Sequence, residues 1–308
     1  MKPWLASLVV AANLLGQPRN VPLPDETAGV GNIYRTLISA FDKVDIVALG
    51  EVHGRKLDSD LGIGLIRDPD FPEKVHLIVV EFASTSEQQT LDRYIQGDKV
   101  SVAELERVWK TTTQQGVWDS PIYAEFFAAV REVNAKLPVS SRIRVLGGDP
   151  GIGDYRTRDG AAVSVLKEQA LEKHEKALLI YGSGHLFRAQ GTIDYQSAIG
   201  GGITRSLEPN YPGRVFVVIT LGGPDSKYAK FEQALHTPKR PVLISLQRRP
   251  FGDYLTEEFI GNELLKRLPS GRLVGVFQGS RLTLAQLADA CVYWGMGADA
   301  DARVRPYR

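Results

Sequence analysis

VDIVALGEVH, residues 44–53, decides the fold class. Its apolar run has no alternation of polar and apolar positions, so both faces of the strand it forms are covered, which is what βαβ connections produce. The run ends abruptly on Gly50, Glu51 and His53. Three further apolar runs end the same way: HLIVVEF (76–82) in Glu81, RIRVLGGD (142–149) in Asp149, and KALLIYGSGH (176–185) in His185. In an open parallel sheet, ligands bind in the crevice beyond the carboxyl ends of the strands. Carboxylates and imidazoles converging there suit proton transfer, metal binding or the gripping of a charged ligand.

Working outward, helical patterns alternate with strands from Gly31 onward. Helices are expected over Asn32–Phe41, Asp58–Ile66, Ala161–Glu175, Ser226–Leu235 and Thr256–Leu268, and further strands over Arg214–Leu221, Pro241–Leu246 and Arg272–Phe277. Three helical stretches lie between Phe82 and Leu137. Thr85–Gln88 and Ser101–Glu104 fit the capping box, and Pro121 suits a first helical turn. The expectation is an α/β fold: one domain over 26–308, a mostly parallel sheet with helices on both faces, and a helical insertion after the second strand, at about 85–138, that could roof the crevice. Trp118 and Tyr123 would be carried over the site on that insertion.

Lys and Arg number 37 against 36 Asp and Glu, so no bulk charge concentrates nucleic acid or an anionic membrane surface. A small-molecule substrate or ligand is the expected partner, with oligomeric state left open. The single cysteine, Cys291, rules out an intramolecular disulfide and every multi-cysteine metal site. Residues 1–25 combine Lys2, an apolar run from Trp4 to Gly16 and a proline-bearing linker with Pro18, Pro22 and Pro24. That is the pattern of an export signal, too short to span a bilayer, or of a helix packed on the domain; the location is then periplasmic or secreted in the first case and cytoplasmic in the second.

Glu51 and His53 are two apart and project to one side of an extended backbone. Glu81 emerges from four apolar residues, so its carboxyl is expected to be raised in pKa unless a cation offsets the burial. The glycines around Asp149 contain no Gly-Lys-Ser/Thr and no Gly-x-Gly-x-x-Gly, so nucleotide binding is not indicated. Ser183 sits between glycines, but Tyr181 stands where a nucleophile elbow needs the first glycine. His185 is the stronger candidate there, with Arg188 near enough in sequence to stabilise an anion. His76, His174 and His236 read as structural or solvated.

Taken together, Gly50-Glu51-Val52-His53, the Glu81 strand end, Gly148-Asp149-Pro150 and Gly182-Ser183-Gly184-His185 resemble the motif series of the superfamily joining erythromycin-esterase-like proteins, ChaN-like haem-binding lipoproteins and the Tiki metalloproteases. The resemblance covers roughly residues 44–188. From the esterase-like members it implies His53 as general base, with Glu51 and Glu81 orienting or supplementing it; His185 with Arg188, read from the residues themselves, would support the oxyanion or leaving group. From the Tiki-like members it implies a divalent metal, zinc or manganese, on Glu51, His53, Glu81 and His185. From the ChaN-like members it implies haem, for which Tyr155, Tyr181 and the histidines are conceivable ligands. The chain lacks a lipoprotein cysteine and is much shorter than the macrolide esterases. The expected activity is hydrolysis of an ester or related acyl bond, with a haem or small-ligand carrier, or an inactive relative, as the alternatives.

Overall fold

A computed structural model describes residues 21–189, 202–260, 265–267, 270 and 272–298. The proposed export signal lies almost wholly outside them. The protein is α/β: eight strands form a mostly parallel sheet in the order β1-β7-β10-β6-β2-β5-β3-β4. The strands are β1 (Glu26–Ala28), β2 (Ile46–Glu51), β3 (Leu77–Ser84), β4 (Arg144–Asp149), β5 (Ala177–Gly182), β6 (Val215–Gly223), β7 (Val242–Ser245) and β10 (Ala290–Met296). β7 alone runs against its neighbours, pairing antiparallel with both β1 and β10. The chain steps from β2 out to β3 and β4, returns to β5 beside β2, then crosses to β6 on the other side of β2. That reversal around β2 is where an open sheet leaves a crevice.

Alternate residues of each central strand feed two separate cores. Val47, Leu49, Ile78, Val80 and Phe82 pack against α1 (Val30–Ala40), α2 (Lys56–Arg67) and α6 (Pro121–Asn134). Ile46, Ala48, Leu77, Val79, Val217 and Ile219 pack on the opposite face, where α7 (Arg158–Gln169) supplies Ala162 and Leu166. β2, β3 and β5 are buried along their whole length, which is why their sequences lack period-two patterning.

A one-turn helix α3 (Phe71–Lys74) precedes β3, and helices α4 (Gln88–Gln96), α5 (Val102–Lys110) and α6 fill the stretch between β3 and β4. Ser101 and Glu104 make the expected capping box, and Pro121 opens α6. The other expected box does not form: Ser84 caps a short 3-10 turn over Thr85–Glu87, and the Thr85 hydroxyl donates to the Pro150 carbonyl instead. Two expectations near the carboxyl end are corrected. The Thr256–Leu268 stretch gives a 3-10 turn at Thr256–Glu258 and, further on, a strand β8 at Leu265–Arg267. The Arg272–Phe277 strand shortens to β9 (Leu273–Gly275), which pairs with β8 in a separate two-stranded sheet. The place beside β6 in the main sheet goes to β10, a strand not read from the sequence. Among the described residues no helix is long and apolar enough to cross a membrane.

Candidate functional site

The carboxyl ends of β2, β3 and β5 deliver their side chains to opposite faces of the sheet. Glu51 shares the parity of Val47 and Leu49, whereas Glu81 shares that of Leu77 and Val79. The two halves meet at Gly182, the residue paired with Glu51 in the β2–β5 ladder. A Cβ there would stand 2.7 Å from His53 Cε1, 3.2 Å from His53 Nε2 and 3.3 Å from Glu81 Oε2. A missing side chain is therefore what lets the imidazole approach the second carboxylate.

On the first face, Glu51 Oε1 lies 2.9 Å from His53 Nδ1. Glu51 is buried, and His53 is one-third exposed at a cavity wall. Burial raises the Glu51 carboxyl pKa and outweighs the opposing pull of His53. For His53, burial works against the charged form, but the Glu51 hydrogen bond and attraction to Glu81 outweigh it, so its pKa lies above the usual imidazole value. Trp118 and the His53 ring pack edge to face at a centroid distance of 4.5 Å. The Tyr123 hydroxyl accepts the Gly54 N–H at 2.9 Å, fixing the turn that follows. Trp118 is 1% exposed and also packs on Phe82 and Tyr123. It forms the wall behind His53 rather than a lid above it.

On the second face, Glu81 is fully buried and fully satisfied. Oε1 accepts from Gln114 Nε2 (2.8 Å) and Arg158 (3.0 Å) and lies 3.3 Å from His185 Nε2, while Oε2 accepts the Gly182 N–H at 2.8 Å. His185 Nδ1 meets Asp159, whose other oxygen accepts the Gly202 N–H. Burial disfavours charge on both Glu81 and His185. Their mutual attraction and hydrogen bonds outweigh it, so the Glu81 carboxyl pKa is held down to about 2 and the His185 imidazole is pushed up to about 10. The sequence expectation of a raised Glu81 is thus reversed by the cations around it.

Two expected site residues stand apart from the cavity. Asp149 is buried and spends both oxygens on backbone and loop: Oδ1 accepts the N–H groups of Thr113 and Gly151 (2.8 Å each), and Oδ2 accepts the Thr113 hydroxyl (2.5 Å). It acts one residue away from Gln114, and so holds the donor to Glu81. Arg188 is committed elsewhere. Its guanidinium meets Asp289 (2.7 Å), Glu208 and the Val215 carbonyl (2.7 Å), and it does not line the cavity. Extended backbone at Phe187 carries it away from the His185 turn, so the expected oxyanion role is withdrawn.

Sequence reading missed Asp159, Arg158, Gln114 and Arg55. The signal available for the first two was Thr157, which caps α7 through Gly160 N–H and so places Arg158 and Asp159 in its first turn. Arg55 lines the cavity, doubly paired with Asp58 (2.9 Å each) and hydrogen-bonded to Thr220 Oγ1 (2.7 Å). No local pattern in the sequence marked Gln114 or Arg55.

The donors do not fit a divalent metal. Both nitrogens of His185 are taken by carboxylates, Glu81 is saturated by four donors, and Glu51 is occupied by His53 Nδ1. His53 Nε2 and the second Glu51 oxygen remain, and among the described residues no three His, Cys, Asp or Glu side chains are grouped to hold a metal. A zinc needs three or four such ligands. A haem iron takes one axial imidazole, so the single nitrogen suffices there. Tyr181 does not serve, since its hydroxyl is buried where a Cβ on Gly148 would come within 2.4 Å, and Tyr155 is fully exposed outside the cavity.

Comparison with known proteins agrees with the motif series. Residues 37–141 match the family model described as haem-binding uptake, Tiki superfamily, ChaN, about a third of the chain and inclusive of Glu51, His53 and Glu81. No curated protein matches in sequence. Among solved structures, a succinoglycan biosynthesis protein superposes with TM-score 0.60 at 11% identity, covering 89% of this chain and 94% of that one. A Bacillus cereus protein gives 0.56 at 13% identity, with 87% and 92% covered. A mutant of the erythromycin esterase EreC in its open conformation gives 0.53 at 10% identity, with 89% and 95% covered. At these identities the likeness is one of fold, extending well beyond the segment that the family model matches.

Proposed function

We propose that the protein hydrolyses an ester or related acyl bond, with His53 as general base on a water molecule. The observation that carries this reading is the Glu51–His53 pair at the cavity wall. With Nδ1–H directed to Glu51, the Nε2 lone pair is left for the water, and no described residue competes for it. An imidazole oriented by a carboxylate and open on its other nitrogen is what proton abstraction needs. The water proton passes to Nε2 as the oxygen attacks the acyl carbon; the same proton then passes to the departing alkoxide. Ser183 is not the nucleophile in this scheme, because its hydroxyl donates to the Glu51 carbonyl at 3.4 Å and not to an imidazole. His185 and Asp159 are positioning residues: they hold Glu81, and Glu81 holds the Gly182 backbone against which His53 sits.

A panel of chromogenic esters, with and without chelator, tests this on wild type, His53→Ala and the exposed-histidine control His174→Ala. His53→Ala should lose roughly a hundredfold to ten-thousandfold of rate, at a stability cost of about 1–3 kcal/mol because buried Glu51 loses its partner. Turnover by His53→Ala equal to that of His174→Ala ends the proposal. The family description also supports a second reading, a haem carrier in which His53 Nε2 would hold the iron. It requires a Soret band on haem addition that His53→Ala abolishes.

A further inference from the structure

The cavity beside His53 has a volume of about 600 Å³ and two unlike halves. One is charged, formed by Glu51, His53, Arg55 and His185. The other is mainly apolar, formed by Phe187, Ile219, Leu221, Tyr228 and Ile260, with Asp225 also on the cavity wall. β6 builds part of both: Ile219 and Leu221 face the apolar half with the core on that side of the sheet, while Thr220 between them points the other way and tethers Arg55. Gly182, Gly184, Gly222 and Gly223 also line the cavity and add no side chain to it.

Resting on the hydrolase reading above, we infer that the acyl portion of the substrate is an apolar chain longer than acetyl, seated in the compartment of Phe187, Ile219, Leu221, Tyr228 and Ile260, with the scissile carbonyl at His53. A compartment continuous with the core offers a chain no hydrogen-bonding partner along Ile219 and Leu221, so a polar acyl group would be desolvated there without compensation. Each methylene that enters leaves water for apolar surroundings, worth about 0.8 kcal/mol, or about fourfold in binding.

Two measurements on the full chain test this. The first is kcat/KM for 4-nitrophenyl esters from acetate through decanoate, on wild type and on Leu221→Phe, which shortens the compartment. The second is calorimetric binding of straight-chain alcohols, butanol through decanol, to the wild-type protein, which needs no catalysis. Expected are steps of about fourfold per methylene in both series until the compartment is full, with Leu221→Phe moving the optimum to a shorter chain. Flat series in both overturn the inference and leave the hydrolase reading standing if the esters are cleaved. Stepwise binding of the alcohols without cleavage of any ester upholds the compartment and removes the hydrolase. An unmoved optimum in a folded Leu221→Phe protein overturns the assignment of the wall.

Discussion

Replacing Gly182 with alanine isolates the contact on which the two halves of the site depend. The backbone there, φ −52° and ψ 131°, is open to any residue, so the substitution acts through space alone. The new methyl would lie 2.7 Å from His53 Cε1, where ordinary contact begins at 3.4 Å. Glu81 cannot give way, held by four donors in a fully buried position. The imidazole, one-third exposed, therefore moves by several tenths of an ångström and draws away from Glu81 and from the cavity floor. Overpacking of this kind costs about 1–3 kcal/mol, and His53's freedom to swing outward puts the value at the low end. A displacement approaching 1 Å at a catalytic group costs about a hundredfold in rate. Ester turnover and thermal unfolding should be read together with a proton NMR titration of the His53 Cε1–H. The expected result is a rate loss near a hundredfold, a small fall in melting temperature, and a lower His53 pKa as the attraction of Glu81 weakens. Unchanged turnover with an unchanged His53 titration would refute the claim that Gly182 seats the imidazole.

Glu51→Gln should lower the rate and shift its pH dependence. The base form is the neutral imidazole, so in the wild type the rate rises with pH through a midpoint above 6.5; losing the carboxylate moves that limb to lower pH, and a limb that stays in place would uncouple the pair. Arg188→Ala leaves Asp289 buried without its guanidinium and should cost about 3–5 kcal/mol in denaturant unfolding, while kcat of the folded fraction is unaltered; a selective loss of kcat would restore a role for Arg188 at the site. Trp118→Ala opens a void against Phe82 and Tyr123 and should cost about 3–5 kcal/mol, which a nearly unchanged melting temperature would contradict.

The strand ends were readable because a strand buried on both faces is apolar throughout, so the first charged residue after it marks the edge of the sheet. That is how Glu51, Glu81, Asp149 and His185 stood out, and the cavity wall and the cluster behind it contain three of the four. What the sequence does not carry is which charge answers which. Arg158 and Gln114 reach Glu81 from 77 and 33 residues away, and only the packed fold brings them there. Proximity in sequence misled at Arg188, where extended backbone at Phe187 sends a residue three positions from His185 toward Asp289. β10 (Ala290–Met296) is itself an unbroken apolar run, preceded by Asp289, and was passed over. That aspartate is buried, accepting the Val217 N–H at 2.7 Å beside Arg188.

Three glycines at strand ends each hold a place for a side chain that belongs to another strand or turn. A Cβ on Gly50 would meet Ser183 Oγ at 2.5 Å, one on Gly182 would meet the His53 ring, and one on Gly148 would meet the Tyr181 hydroxyl. Anyone transplanting the Glu–His constellation onto another parallel sheet would have to carry these bare backbone positions along with it. A graft of the reactive residues alone would find their seats already filled.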